Sequence, residues 1–210
     1  GLNVDSQDNL VVSVIFKSSA VVESDSIFAS TFFHRPLLVK YAPDGSLIYY
    51  ATPVYSNTSC VHLFNTVIDK QDNIIIHGEK GGELIFSDSS TLAADTNLYF
   101  LEGVNFKLDA DGNKLWAQST PYELSKLTTG PSGNIVALAS EGIFKYLSSG
   151  AFYYQKVFPY GVFDIAIDSL ENIYLTGQFD SAFVLEGVPY APSGHYNGIL
   201  QKTNPDGENI

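Results

Sequence analysis

Ile68-Asp69-Lys70-Gln71-Asp72-Asn73-Ile74-Ile75-Ile76 and Lys107-Leu108-Asp109-Ala110-Asp111-Gly112-Asn113-Lys114-Leu115-Trp116 each place a short polar turn between two apolar runs. Asp-Gly between β-forming runs is a strong hairpin signal, because Gly supplies the positive φ of a tight turn and Asp bonds the turn backbone. The Asp-x-x-x-Asn stretch predicts a second hairpin, with its Asn expected in the left-handed conformation. Two hairpins in succession make four short antiparallel strands, a to d, expected here at 64–69, 73–78, 103–109 and 114–118.

Both signatures recur. The first returns at Asp5…Asn9, Gly130…Asn134 and Asp168…Asn172, so three of the four copies place Asp four residues before Asn. The second returns at Lys40…Gly45, Lys145…Gly150 and Lys202…Gly207, always with Lys and Gly five apart. Four repeats follow, at about 1–59, 60–122, 123–160 and 161–210, the last stopping where strand d should begin. Repeated four-stranded units of this kind predict an all-β chain: a β-propeller segment of four antiparallel blades, expected to be part of a larger propeller.

The spacing shows where the repeats vary. From the Lys of one copy to the Asn of the next is 33, 27 and 27 residues, whereas from Asn to Lys within a copy is 31, 34, 11 and 30. Variation is thus concentrated between strands b and c. The a–b and c–d turns share one face of a blade, so the b–c and d–a connections emerge together on the other, where repeat proteins place recognition.

Composition narrows the function classes. Eleven Lys+Arg against 23 Asp+Glu leave a net charge of −12, which disfavours nucleic acid and anionic lipid. No apolar run is long enough for a membrane-spanning helix, so no membrane insertion is expected. Cys60 stands alone, which excludes an intrachain disulfide. The start at Gly1 and the absence of Met suggest a mature fragment or an excised piece.

The repeats resemble the β-propeller repeats of secreted bacterial proteins known as SBBP repeats, with units like D-x-x-G-N-x-Y-x-x-G followed by F-x-x-K-x-D-x-D-G-x-x-x-W. The second copy matches through Asp69, Asn73, Gly78, Phe106, Lys107, Asp109, Asp111, Gly112 and Trp116, with Gly81 to Phe86 as the variable hairpin. The fourth is similar through Asp168, Asn172, Tyr174, Gly177, Phe179 and Lys202 to Gly207. The third departs, with Gly130 for the first Asp and Ser149 for the last. The first carries Val14 where Gly is usual. The resemblance implies an extracellular or surface-attached module acting in binding or adhesion. It names no ligand, because the matching residues are turn and packing positions.

Individual candidates are few. Asp109-x-Asp111-Gly112-Asn113 superficially resembles a calcium loop but lacks the distal Glu, and hairpin chemistry alone explains it. The repeated lysines are expected to cover sheet edges or pair with neighbouring Asp. His34, His62, His77 and His195 share no metal-ligand spacing, so neither metal nor cofactor is expected. Aromatic and polar residues in the b–c insertions, namely His34, Arg35, Tyr99, Tyr190, His195 and Tyr196, are the candidate ligand-binding residues, although packing of the insertions explains their aromatics as well.

Three readings stay open. The favoured one is a noncatalytic extracellular module binding a glycan or protein through its b–c face, with self-association if the ring is incomplete. A propeller enzyme of the lactonase or lyase kind would need inner-strand acids, of which only Asp164 is offered. A structural spacer within a large surface protein is the third.

Overall fold

A computed structural model of the chain describes residues 1–29, 33–56, 61–93, 102–121, 124–185 and 187–210. Among them there is no helix, and the chain is all-β. It divides into two compact units, Gly1–Glu123 and Leu124–Ile210.

The first unit holds β1 (Leu2–Val4), β2 (Leu10–Phe16), β3 (Ser19–Val22), β4 (Asp25–Phe28), β5 (Arg35–Tyr41), β6 (Leu47–Ala51), β7 (Val54–Tyr55), β8 (Val61–Ile68), β9 (Ile74–Lys80), β10 (Leu84–Phe86), β11 (Thr91–Leu92), β12 (Glu102–Leu108) and β13 (Lys114–Thr120). Two four-stranded antiparallel sheets, β1-β2-β5-β6 and β8-β9-β12-β13, form its frame. The β3-β4 hairpin is inserted between the second and third strands of the first sheet, and β10 and β11 join β7 in a separate three-stranded sheet. The second unit holds β14 (Leu124–Thr129), β15 (Ile135–Ala139), β16 (Gly142–Tyr146), β17 (Phe152–Lys156), β18 (Gly161–Ile167), β19 (Ile173–Phe179), β20 (Phe183–Leu185), β21 (Val188–Tyr190) and β22 (Asn197–Thr203). Its sheets run β14-β15-β16-β17 and β18-β19-β22, with β20-β21 as the insertion.

All eight a–b and c–d turns share one geometry. The first turn residue accepts from the N–H of the fourth and donates to the carbonyl of the fifth, as in Asp69 with Asp72 and Asn73 and in Asp109 with Gly112 and Asn113. The fourth residue takes positive φ: 61°, 60°, 76° and 66° at Asp8, Asp72, Gly133 and Glu171, and 85°, 86°, 89° and 85° at Gly45, Gly112, Gly150 and Gly207. This is the three-residue hairpin, a type I turn followed by a left-handed bulge residue. The Asn expected to be left-handed is therefore not; the residue before it is. Asn instead binds the first Asp, with Asn73 Nδ2 donating to Asp69 Oδ2 at 3.0 Å and Asn9 Nδ2 to Asp5 Oδ2 at 2.9 Å. Asp109 is committed in the same way, its Oδ1 accepting from the N–H of Asp111 at 3.0 Å and of Asn113 at 2.8 Å.

Three of the repeated lysines pair with the turn Asp of their own sheet: Lys40 with Asp5 at 2.9 Å, Lys107 with Asp69 at 2.7 Å and Lys202 with Asp168 at 3.7 Å. Lys40, Lys107 and Lys145 are buried. Lys40 Nζ also donates to Ala110 O of the adjacent sheet at 3.3 Å, and Lys145 Nζ donates to Pro205 O at 2.6 Å. Ala110 and Pro205 hold the same place in their c–d turns, three residues after the local Lys. Within each unit, then, the first sheet's lysine clips the second sheet.

Two more contacts repeat with it. Asp72 accepts from the N–H and hydroxyl of Ser6 at 2.8 and 2.7 Å, while Glu171 accepts from the N–H and hydroxyl of Ser132 at 2.7 and 2.6 Å. Tyr49 lies against Gly112 and Tyr154 against Gly207, where an added Cβ would come within 3.4 and 3.1 Å of the ring. Burial first, then nearby Asp charge, pushes both hydroxyls up to about 12.

The left-handed acids separate backbone cost from contact. The left-handed region costs a non-Gly residue about 1 kcal/mol or more, a strain Gly does not feel. Asp8, whose carboxylate has no partner among the described residues, should therefore gain stability of up to about 1 kcal/mol on change to Gly. Asp72→Gly removes two hydrogen bonds worth about 1 kcal/mol each and should be net destabilising. Urea unfolding of the two variants measures the difference, and equal effects would show that the Ser6 contact carries no weight.

Acid should loosen the same turns. Burial pushes the Asp5 carboxyl up, but Asn9, Lys40 and two backbone N–H groups outweigh it and hold it at about 2. Asp168 is held at about 2 chiefly by Asn172. A carboxyl lowered from an unfolded value of about 3.9 stabilises the fold fully above that pH and loses its contribution as the pH falls toward about 2. The urea midpoint should drop through this window, and drop less steeply in Asp5→Asn.

Candidate binding cleft

In the second unit a bulge interrupts the pairing of β18 with β19 between Val162 and Asp164. It turns the Gly161 carbonyl toward Gly177, where a Cβ would meet that oxygen at 2.2 Å. Gly78 has the same relation to His62 O, at 2.0 Å, opposite the bulge between Leu63 and Asn65. In both sheets the Gly five residues after the turn Asn faces the bulge of the first strand, and β14 bulges at the same place, between Leu124 and Lys126, opposite Ala139. In the first repeat β1 pairs through Leu2–Val4 with Leu10 to Val12, short of position 14, and Val14 pairs with Leu37 of β5 without a shift in register.

The bulge sets the entry of β18, and beside it the chain forms a cleft of about 450 Å³. Its walls are the connection Phe158-Pro159-Tyr160-Gly161, the end of β19 and the following turn at Gln178 to Ser181, and Tyr196. The aromatic wall is braced. Phe158 contacts Tyr160 at 5.5 Å between ring centres, Tyr160 contacts Phe183 at 5.6 Å, and Phe183 meets Phe179 edge-on at 5.1 Å. Tyr190 stacks on the other side of this group, 5.0 Å from Phe183 with planes 9° apart. Tyr160 donates to Gln201 Oε1, and burial pushes its hydroxyl far above the ordinary phenol range. At the rim, Tyr196 is 69% exposed. Asp180 is exposed, with Ser181 Oγ donating to it at 3.0 Å.

Of the residues singled out from sequence, Tyr196 lines the cleft. Tyr190 braces it from behind through Phe183, and His195 is exposed beside Tyr196. His34 and Arg35 belong to the other unit: His34 Nδ1 lies 3.2 Å from His62 Nε2, and the Arg35 guanidinium sits 5.0 Å over Tyr55. Tyr99, like Phe32 and Cys60, lies outside the described residues. Asp164 pairs with Lys126 at 2.7 Å, and that hydrogen bond holds its carboxyl below the usual range, the wrong direction for a proton-accepting base at neutral pH. The sequence reading missed Phe158, Tyr160, Gln178, Phe179 and Asp180. Their signal was the aromatic-Pro-aromatic run in a d–a connection, on the face already expected to carry recognition.

A second concavity, of about 420 Å³, lies on the turn face of the same unit. Its polar groups are already committed: Lys145 to Pro205 O, Glu171 to Ser132 and Asn134, and Tyr153 Oη to Asp206 at 3.0 Å.

No family model matches the chain, and no curated protein does. Among solved structures it is similar to a structural-genomics target given a provisional gluconolactonase name, at 14% identity and a TM-score of 0.43, covering 83% of this chain and 53% of that one. It is also similar to a protein of unknown function from Bacteroides caccae, at 11% identity and a TM-score of 0.32, covering 83% of this chain and 88% of that one. A gluconolactonase from Xanthomonas campestris is similar at 12% identity and a TM-score of 0.33, covering 84% and 68%. The chain spans about half the length of the first of these. At such identities neither activity nor site residues carry over.

Gly177→Ala tests how the cleft is built. The new methyl group must displace the Gly161 carbonyl, so a loss of about 1 to 3 kcal/mol in urea unfolding is expected, with shifted NMR signals for Phe158 to Gly161. Gly194→Ala, which meets nothing within 4 Å, should leave both unchanged.

Proposed function

We propose that the chain forms four blades of a larger, secreted β-propeller and that it binds a glycan, without catalysis, through the aromatic cleft of its second unit. The propeller reading is supported by three sheets with strands in a-b-c-d order, a fourth lacking only d, and the same inter-sheet contacts in both units. One observation carries the functional reading: an exposed tyrosine ring at the rim of a cleft whose floor is aromatic and whose far wall offers a carboxylate and an amide. Sugar rings present C–H faces that pack on aromatic surfaces and hydroxyls that donate to carboxylates and exchange hydrogen bonds with amides. A volume of about 450 Å³ suits one or two sugar rings.

Screening of the purified protein on a glycan array, followed by calorimetry with the best oligosaccharide, tests the assignment. Tyr196→Ala should weaken binding by about 2 kcal/mol, roughly thirtyfold, and Asp180→Asn by a smaller factor. His195→Ala should leave it unchanged. Undiminished binding by Tyr196→Ala of normal thermal stability, or no glycan bound at all, would overturn the reading.

A further inference from the structure

We propose that His34 and His62 form a binding site for a divalent transition metal, Zn²⁺ in the first instance, that ties together the two main sheets of the first unit. The spacing of these residues in sequence gives no hint of it, since 28 positions separate them. The fold brings them together. His34 immediately precedes β5 of the first sheet, and His62 is the second residue of β8 in the second.

The geometry is that of paired ligands. Two imidazoles on a tetrahedral Zn²⁺ at 2.0–2.1 Å would hold their donor nitrogens about 3.3 Å apart and their ring centres roughly 5 Å apart. Here Nδ1 of His34 and Nε2 of His62 are 3.2 Å apart, with ring centres at 5.2 Å and planes tilted by 51°. Without metal this contact is an N–H···N hydrogen bond. For both lone pairs to meet a cation, the proton on the shared nitrogen moves to the other nitrogen of the same ring, a tautomer change that alters no net charge.

The surroundings contain charge of both signs. His62 is directly paired in register with Glu79, which puts both side chains on one face of the sheet. Arg35, the neighbour of His34, is engaged over the Tyr55 ring. Among the described residues no group of three potential ligands forms. Among the described residues the site offers two protein ligands, with water able to fill the remaining positions, which suits a readily exchanged Zn²⁺ better than a permanent structural ion.

Isothermal titration with ZnCl₂ alone, and with CoCl₂ as a visible probe of coordination, tests this on the whole chain. One ion per chain is expected, with a rise in thermal midpoint and with affinity falling as the pH drops, since protons compete for the same nitrogens. His34→Gln and His62→Gln should each cut affinity at least about tenfold, while His195→Gln and His77→Gln should not. Circular dichroism and the metal-free thermal midpoint establish folding. If either site variant unfolds, protection of the two rings by Zn²⁺ against diethyl pyrocarbonate in the unaltered protein gives the answer. No binding at submillimolar Zn²⁺, binding undiminished in both folded site variants, or unprotected rings would overturn the proposal.

Discussion

The recurring constraint is a lysine ammonium taken out of water. A buried cation must be matched by an anion or by well-placed acceptors, because unpaired burial costs several kcal/mol. Lys40 meets that requirement with Asp5 of its own sheet and Ala110 O of the next. The requirement therefore acts on two sheets at once. Asp5 can serve only while Asn9 and the backbone N–H groups of its turn hold the carboxylate in position, and Ala110 O only while the neighbouring hairpin keeps its geometry. Turn, strand and inter-sheet packing are thus coupled through one nitrogen atom, and the coupling recurs with Lys145 in the second unit.

The third repeat shows how strictly this holds. Gly130 stands where the others have Asp, so Lys145 has no partner from its own turn, and burial lowers its pKa. The space is not empty. The Glu171 carboxylate reaches in from the adjacent sheet, so close that a Cβ on Gly130 would lie 2.4 Å from its Oε1. There it bonds Ser132 and Asn134, and its charge favours the protonated form of Lys145. The missing acid is supplied from the next turn, from a residue holding φ of 66°. Glycine at that position of Glu171 would relax the backbone and leave the lysine worse off. The bonds of Glu171 to Ser132 and Asn134 offset the strain of that conformation.

Much of this was legible in the chain. Strand order, hairpin positions and the site of variation between strands b and c follow from local chemistry, because a turn is decided by a few adjacent residues. The pairing of Lys with Asp was legible for the same reason, being repeated at fixed spacing. The left-handed residue was misplaced from sequence because Asn and the acid before it both suit turns, whereas the three-residue hairpin gives the positive φ to the fourth turn residue and not the fifth. The cleft was half legible. Tyr196 stood out on an insertion, but Phe158, Tyr160 and Gln178 belong to a connection and a strand end whose convergence depends on the pairing of β18 with β19 beside the bulge between Val162 and Asp164, a tertiary feature. The approach of His34 to His62 had no local signature at all.

The two faces of the units are used differently, and the difference follows from the same lysine. On the turn face of the second unit the polar groups around the 420 Å³ concavity are already spent on the fold, Lys145 on Pro205 O, Glu171 on Ser132 and Tyr153 on Asp206. A substitution on that face disturbs packing before it can alter recognition. On the opposite face the insertions carry none of the clip contacts. The β20-β21 hairpin is anchored by aromatic packing of Phe183 on Phe179 and Tyr160, while Asp180 bonds its neighbour Ser181 and Tyr196 stays exposed. Residues in such positions can change at little cost to stability, so a repeat framework with fixed turns and variable b–c segments can acquire a new binding surface without rebuilding its core. The eleven-residue spacing in the third repeat, against 30 or more in the others, shows how far that segment can shrink while all four strands of its sheet remain.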